Sequence, residues 1–319
     1  MNTMDMAAKP SLPQASIQST RRSLKRKNNM LLYLMLVPAA VLTFLFAYLP
    51  MAGLVMAFQD YQAWLGFTKS PWIGLEHFRT IFSLPDAMQV ITNTLIIAGS
   101  KIIAGMIVPF LFALLLNEVR VKSFKSTVQT LVYLPHFLSW VILGGILLDL
   151  LSPSGGLVNR FIGLFGIEPI FFLGNGDWFR FTAVVSDVWK EFGFSTIVYL
   201  AALAGINPAL YEAAEVDGAS RWKQTMHITI PALVPMMMVL GTLALGNVLN
   251  GGFDQIFNLY SPVVYSKADI IDTYVYRMGI ESGQLGFGAA FGMFKSVVST
   301  VLIVVSYRLA YKYGNYRIF

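Results

Sequence analysis

A small set of charged and amide side chains lies inside long apolar stretches of the sequence. Burying a charge at the centre of a bilayer costs about 2.5 to 3.5 kcal/mol on insertion scales, so such a residue needs an ionic partner or an aqueous cavity. If these charged and amide side chains line an aqueous cavity, they could bind the hydroxyl and carboxylate groups of a solute. The candidates for such a substrate path are Asn93, Lys101, Asp187, Lys190, Glu191, Asn247 and Asn250.

Each candidate also has a structural interpretation. Lys101 could attract an anionic sugar or pair with a carboxylate on a neighbouring helix. Asp187 and Lys190 are three residues apart, so they share a helix face and can neutralise each other, although they could instead form a polar rim where solute enters. The asparagines suit sugar hydroxyls, but hydrogen bonds between helices explain them about as well.

Two further polar positions are expected to serve the structure. Lys295 is expected to extend its amine to the interface on the outer side of the membrane that the chain spans. At His136, which follows Pro135, a kink that frees a backbone carbonyl is favoured over a proton relay.

The sequence offers no catalytic centre. Cysteine is absent and there are three histidines, which excludes thiolate sites and argues against a multi-histidine metal site. It contains neither a nucleophile with a base nor a carboxylate pair suited to hydrolysis. A G-x-x-x-x-G-K-[ST] phosphate loop is also missing, so energy from ATP would have to come from another polypeptide.

The elements that must position these residues are membrane-spanning helices. Of the 319 residues 56% are hydrophobic and 13% charged, about half of the roughly 25% charge usual in soluble domains. Since a helix needs about 20 mostly apolar residues to cross a bilayer, the sequence predicts an all-α, polytopic transmembrane bundle. Six spans are predicted, at 30–48, 88–116, 127–148, 179–204, 232–249 and 289–311.

The distribution of lysine and arginine orients these spans. Basic residues concentrate before the first span, after the second, fourth and sixth spans, and are sparser in the other loops. The positive-inside rule then predicts that both termini are cytoplasmic. Residues 1–29 are expected to be a disordered basic tail, and residues 30–319 one membrane domain. The net charge of +6 fits anionic membrane lipid better than nucleic acid.

The long outer loops carry Trp64, Trp72 and Trp178. Aromatic side chains at these positions usually anchor helices at the level of the lipid headgroups. The alternatives are a docking surface for an extracytoplasmic partner and stacking against sugar rings.

A cytoplasmic loop at about 206–231, between the fourth and fifth spans, carries the most informative pattern. Asn207 is a good N-cap and Pro208 suits the first helical position, so a short helix should begin there. Gly218 can adopt the left-handed conformation that ends it. A second short helix is predicted over 219–227, stopped by Pro231. The result is a helix-turn-helix elbow at the membrane surface.

The first helix of this elbow has the composition of a docking surface. Ala213 and Ala214 are small enough for another backbone to approach closely, while Glu212, Glu215 and Asp217 offer carboxylates to a groove that contains arginine. The alternative is an amphipathic connector that lies on the membrane without a partner.

The string Glu212-Ala213-Ala214, followed by Asp217-Gly218-Ala219 and by Ile228, Ile230 and Pro231, resembles the EAA loop of ATP-binding-cassette (ABC) importer permeases. The resemblance implies that residues 30–319 are one permease domain of the type I importer fold in a bacterial inner membrane. Its coupling helix would be seated in a cleft of a cytoplasmic ATPase. The resemblance also implies that the glutamate pairs with a basic residue of the ATPase and that the glycine makes the turn. The ATPase-coupling residues would be Glu212, Ala213, Ala214, Asp217, Gly218 and Ala219.

A second patch, at 253–257, 260–262 and 269–276, resembles the LplB-type branch of carbohydrate permeases and, within it, those of alginate-oligosaccharide importers. This resemblance implies import of an oligosaccharide, with an acidic one as the narrower expectation, by alternating access. The implied partners are a second and different permease chain, two ATPase subunits and an extracytoplasmic solute-binding protein. ATP and Mg²⁺ would bind the ATPase, and no cofactor is expected in this chain.

Two other functions remain as alternatives. The chain could be a secondary transporter driven by an ion gradient, with Asp187, Lys190 and Glu191 as its coupling charges, although such transporters usually contain internal repeats and none is apparent. It could also be a membrane scaffold without transport activity.

Overall fold

A computed structural model describes Met30 and residues 33–314, with side chains up to residue 308. The predicted basic tail, 1–29, lies outside the described residues. The chain divides into two compact units at the boundary between Val55 and Met56. Within the described residues the regular structure is helical, apart from an isolated bridge between Gln59 and Trp72.

Twelve helices organise the described residues, together with short helical turns at Gly66–Lys69, Pro262–Val264 and Tyr265–Ala268 and a π-helical segment at Tyr276–Glu281. They are α1 (Tyr33–Phe58), α2 (Glu76–Ser83), α3 (Pro85–Glu118), α4 (Lys122–Phe137), α5 (Trp140–Leu150), α6 (Leu157–Gly163), α7 (Gly176–Ala204), α8 (Pro208–Val216), α9 (Arg221–Gly246), α10 (Phe253–Leu259), α11 (Ile271–Val275) and α12 (Leu285–Gly314).

The first unit contains the part of α1 that precedes Met56. In its course α1 changes from an α-helix to a π turn at Phe44–Tyr48 and then to a 3-10 segment at Leu49–Phe58. Its side chains are mostly large, apolar and exposed. That composition is expected of a helix that faces lipid, because lipid is itself apolar.

The helices confirm an all-α membrane protein with up to six spans. By length and composition α1, α3, α9 and α12 can each cross a membrane, and two bent pairs bring the number to as many as six. One pair is α4 with α5, bent by 102°, and the other is α7 with α8, bent by 67°. The predicted third span is therefore two helices that meet at a sharp bend.

The bend in the third span follows from its sequence. The last turn of α4, Leu134–Phe137, is a 3-10 turn that contains Pro135. Ser139 then caps α5 by accepting a hydrogen bond from the amide of Ile142 at 3.3 Å. A proline removes a helical hydrogen bond and a serine cap begins a new helix, so the chain turns between them.

The prediction that Pro231 ends a second short helix of the elbow is wrong. Helix α9 begins at Arg221 and continues through Pro231 and Pro235 to Gly246. A π turn, Thr225–Thr229, is separated from Pro231 only by Ile230. Such a local widening is a known way for a helix to accommodate a residue that cannot donate its amide hydrogen.

Helix α7 is central to the second unit, where it packs against both α3 and α4. A close approach to α4 depends on Gly193, since a Cβ atom at this position would lie 2.0 Å from the carbonyl oxygen of Val132. Phe179 and Ala183 of α7 belong to one buried cluster with Ile97 of α3, and Tyr199 belongs to another with Leu233 of α9.

We expect Gly193→Ala to lower the thermal unfolding midpoint of the purified protein in detergent. The added methyl group would push α7 away from α4, and overpacking of this kind typically costs about 1 to 3 kcal/mol. Gly99→Ala is the matched control, because Gly99 is also inside a long helix and has nothing within 4 Å of the place where a methyl group would be added. An equal midpoint for the two variants would contradict the proposed contact.

Candidate functional site

The elbow between α7 and α9 is built as its sequence predicts. The Asn207 side chain accepts a hydrogen bond from the amide of Ala209 at 3.1 Å, and Pro208 is the first residue of α8. At the other end Gly218 has a φ of 73°. The amide of Ala219 donates to the Ala214 carbonyl at 2.8 Å, and that of Gly218 to Glu215 at 3.0 Å. These bonds form a Schellman motif, which ends α8 sharply.

Two side-chain contacts attach the elbow to the spans. The hydroxyls of Tyr211 on α8 and Thr229 on α9 are hydrogen-bonded at 2.9 Å. Arg221 at the start of α9 donates to Glu118 at the end of α3, also at 2.9 Å. Exposed ion pairs contribute little stability on their own. Together, however, the two contacts connect the elbow to both α9 and α3.

The surface of α8 and its turn is exposed and mixed in chemistry. Glu212, Glu215 and Asp217 are exposed acids, and Ala213 is an exposed small residue beside them. Val216 is 89% exposed, and Trp222 of α9 is 69% exposed. Apolar and acidic groups are thus presented on one short segment, which could pack against a surface that contains both apolar and basic groups.

A buried polar cluster joins α3, α7 and α10 around Lys101. The Lys101 amine lies 3.2 Å from a carboxylate oxygen of Asp187 and 2.9 Å from the carbonyl of Gly251. It also contacts Gln255, whose amide donates to the hydroxyl of Ser186 at 2.8 Å. The interpretation of Lys101 as the partner of a carboxylate on a neighbouring helix is therefore confirmed. Sequence reasoning missed Gln255 and Ser186 as members of this cluster.

The predicted neutralisation of Asp187 by Lys190 is wrong. Lys190 donates to Glu191 at 2.8 Å and to the carbonyl of His136 at 3.0 Å. The His136 ring is hydrogen-bonded to the other oxygen of Glu191 at 2.7 Å. Asp187 is directed to α3 and Lys190 to the end of α4, so their spacing does not decide their partners. The expected kink is confirmed, and the His136 carbonyl there accepts a bond from Lys190.

The three predicted asparagines differ in their surroundings. Asn93 is buried on α3 and donates to the carbonyls of Ser266 and Asp269 at 3.2 and 3.1 Å. Asn247 and Asn250 are exposed at the end of α9, where Asn250 donates to Asn247 at 3.1 Å. The side-chain bonds of these two are local, so hydrogen bonding between helices describes neither of them.

Lys295 of α12 forms an ion pair with Asp272 of α11. The carboxylate neutralises the charge of the lysine where it lies, and extension of the amine to the outer interface of the membrane stays a prediction. Among the described residues, no group of three or more His, Asp or Glu side chains could hold a metal ion.

A second ionic cluster lies outside the predicted spans. Arg277 pairs with the buried carboxylate of Asp269, and its guanidinium lies 4.2 Å from the ring centre of Tyr265. Burial raises the pKa of the Asp269 carboxyl, whereas the hydrogen bond from Thr273 and the charge of Arg277 act to lower that pKa. This cluster fixes the segment between α10 and α11.

Family comparison agrees with the helical architecture and the elbow. The family described as binding-protein-dependent transport system inner membrane component matches residues 102–318. The chain belongs to this family, and it is a multi-pass membrane permease rather than an enzyme. The elbow and most of the buried polar residues lie within the matched region.

Individual relatives include a permease of carbohydrate transport. The chain is 45% identical over 288 residues to YteP of Bacillus subtilis (strain 168), a polygalacturonan/rhamnogalacturonan transport system permease protein, with 90% of each chain covered. It is 41% identical over 293 residues to the protein LplB of the same organism, with 92% of each covered.

A solved structure of a bacterial ABC transporter involved in the import of the acidic polysaccharide alginate contains a chain with 42% identity and a TM-score of 0.84. The match covers 92% of this chain and 99% of that one. A second structure, of a bacterial alginate ABC transporter in complex with an alginate pentasaccharide-bound periplasmic protein, matches with a TM-score of 0.83 and 42% identity, over 90% of this chain and 96% of that one. The predicted importer permease fold and the resemblance to carbohydrate permeases are confirmed. The ion-driven alternative has no support in these matches.

We expect Lys101→Met and Asp187→Leu to destabilise the protein individually by about 3 to 5 kcal/mol, because each leaves one charge unpaired among apolar helices. The double variant should lose far less stability, since it removes both charges. Thermal unfolding in detergent, with exposed Lys122→Met as the control, measures the coupling. Strictly additive losses would show that the two residues do not interact.

Proposed function

We propose that the chain is the permease subunit of an ABC importer that moves an acidic oligosaccharide across the bacterial inner membrane, with both termini cytoplasmic. The observation that carries the proposal is the elbow: α8 is bent by 67° from α7, ends in a sharp turn at Gly218 and exposes Glu212. The positive-inside distribution of basic residues supports a cytoplasmic position for this elbow.

In this proposal α8 is the coupling helix. Glu212 binds a basic residue in a cleft of the ATPase, Ala213 and Ala214 allow close contact, and Asp217, Gly218 and Ala219 form the turn. ATP binding closes the ATPase dimer and moves α8. The contacts Tyr211–Thr229 and Arg221–Glu118 pass this movement to α9 and α3. Only a different interaction free energy with the inward-facing and outward-facing states can shift the equilibrium between them.

The proposed assembly contains a second, different permease chain, two ATPase subunits and an extracytoplasmic solute-binding protein. One permease chain offers only one side of a path for a large solute. The family description, which refers to binding-protein-dependent transport, supports the solute-binding protein. ATP and Mg²⁺ belong to the ATPase subunits, and this chain contributes no residue to their chemistry.

The proposed solute is an acidic oligosaccharide. The similarity to permeases of alginate and polygalacturonan/rhamnogalacturonan transport supports this class of solute. Within the chain, polar clusters along α7 contain the pairs Lys101–Asp187 and Lys190–Glu191. The exposed amides of Asn247 and Asn250 offer hydrogen bonds to hydroxyl groups. Since Lys101 and Lys190 are both paired, a carboxylated sugar would have to compete with Asp187 and Glu191 for them.

We expect Glu212→Ala to reduce uptake by the assembled importer about tenfold or more while ATP hydrolysis continues. A loss of about 1.4 kcal/mol in the contact with the ATPase is enough for a tenfold effect. Uptake and ATP hydrolysis are measured together in proteoliposomes, and exposed Glu168→Ala is the control. Unchanged uptake would count against α8 as the coupling helix.

Gly218→Val should also uncouple transport, since a β-branched residue rarely adopts a positive φ. Gly166→Val is its matched control, because Gly166 has a φ of 76° and, like Gly218, has nothing within 4 Å of the place where a Cβ atom would be added. The backbone strain is therefore similar, but Gly166 is far along the chain from the elbow. Equal effects of the two substitutions on coupling would contradict a specific role for Gly218.

A further inference from the structure

A wide-open cavity of about 610 Å³ lies between the first turns of α3 and α7 and the helical turn Tyr265–Ala268. It is at the end of α7 opposite to the elbow. Apolar residues of α3, among them Met88 and Ile96, form part of its wall. The polar residues that line it are Gln89, Thr92, Asn93, Arg180, Ser266 and Lys267.

The guanidinium of Arg180 is held in a fixed orientation at this cavity. Its Nε donates to the carbonyl of Lys267 at 2.9 Å, and one terminal nitrogen donates to the side-chain oxygen of Asn93 at 2.5 Å. Asn93 is itself fixed, because its amide nitrogen donates to the carbonyls of Ser266 and Asp269. These contacts use two of the five N–H donors of the guanidinium. The arginine is therefore positioned while retaining donors for a ligand.

Arg180 forms no ion pair within the described part of the chain. Arg180 and Arg277 are the partly buried arginines there, and Arg277 pairs with Asp269. Arg180 has neutral acceptors but no carboxylate within ion-pair distance among the described residues. The nearby Asp177 is bound by Lys267, at 2.6 Å to each oxygen. A partly buried and unpaired guanidinium favours the binding of an anion.

The face of α7 on which Arg180 lies indicates the source of the anion. Asp187 and Glu191 follow Arg180 by seven and eleven residues, so helical periodicity places all three on one face. The opposite face carries exposed apolar side chains suited to lipid, at Trp178, Phe181, Val185 and Trp189. Arg180 therefore lies on the polar side of α7, the side from which a transported solute would approach.

We propose that Arg180 and the cavity around it form a subsite that binds a carboxylate of the incoming acidic oligosaccharide. The planar fork of an arginine matches a carboxylate through two parallel hydrogen bonds, and Gln89 and Thr92 lie in the same wall for neighbouring hydroxyls. This inference rests on the proposed function and adds to it a residue that distinguishes acidic from neutral sugars.

The test compares an alginate pentasaccharide with its carboxyl-reduced counterpart, in uptake by the assembled importer. We expect Arg180→Gln to raise the half-saturating concentration of the acidic sugar about tenfold or more, because bonds to a charged group are lost. Its maximal rate and the uptake of the reduced sugar should not change. Arg180→Lys should have an intermediate effect, since it keeps the charge but loses the fork. Exposed Arg79→Gln is the control. An unchanged half-saturating concentration, or equal losses for both sugars, would overturn the subsite.

Failure of the subsite and failure of the proposed function have different signatures. If Arg180→Gln does not assemble, the acid-specific effect is sought in Arg180→Lys, and its absence there overturns the proposal.

If the wild-type importer transports neither sugar, the proposed function fails. The subsite is then decided by saturation-transfer NMR of the purified complex with galacturonate, and with galactose as control. Loss of the galacturonate signal in the variant supports the subsite. An unchanged galacturonate signal in the variant overturns the subsite. This holds even if the variant has lost a co-purified anionic lipid, because Arg180 would then bind lipid rather than the sugar.

Discussion

Movement of α8 can affect the membrane spans only if α8 is held firmly at both ends. The caps of α8 and its contacts with the spans meet this constraint. The short helix is fixed at its start by the Asn207 cap and at its end by the turn at Gly218. The Tyr211–Thr229 and Arg221–Glu118 contacts then connect the elbow to α9 and α3. A nine-residue helix has little stability of its own in water, so these tertiary contacts and its caps must maintain it.

Charges inside the spans obey a related constraint, since each must be neutralised where it lies. Lys101 is neutralised across helices, by contacts to α7 and α10. Lys190 is neutralised by the adjacent Glu191 and also donates to the bend after Pro135. These contacts tie α7 to its neighbours at successive levels. A rearrangement of the spans during transport would have to exchange or preserve such pairs, because an unpaired charge in an apolar setting is costly. Arg180, at the far end of α7, differs from them in having neutral partners.

The sequence predicts local structure better than it predicts contacts. The start and end of α8 follow from Asn207, Pro208 and Gly218, because caps and left-handed turns depend on neighbouring residues. The bend near Pro135 is predictable for the same reason. The partner of Asp187 is not, since periodicity shows that Asp187 and Lys190 share a face but not which helix each meets. Pro231 is misjudged because a π turn accommodates it, and Gln255 joins the Lys101 cluster only through the packing of α10 against α7.

The absence of cysteine from the sequence allows the central claim to be measured directly. Ala213→Cys places one thiol on the exposed surface of α8, beside Glu212. In membranes that contain the whole importer, a bifunctional reagent that joins this thiol to a nearby amine should cross-link it to an ATPase subunit, and ATP should change the yield. The thiol should also be protected from an impermeant maleimide added on the outer side of the membrane. Labelling from the outer side, or no cross-link to any subunit in an active importer, would contradict the role of α8 in coupling.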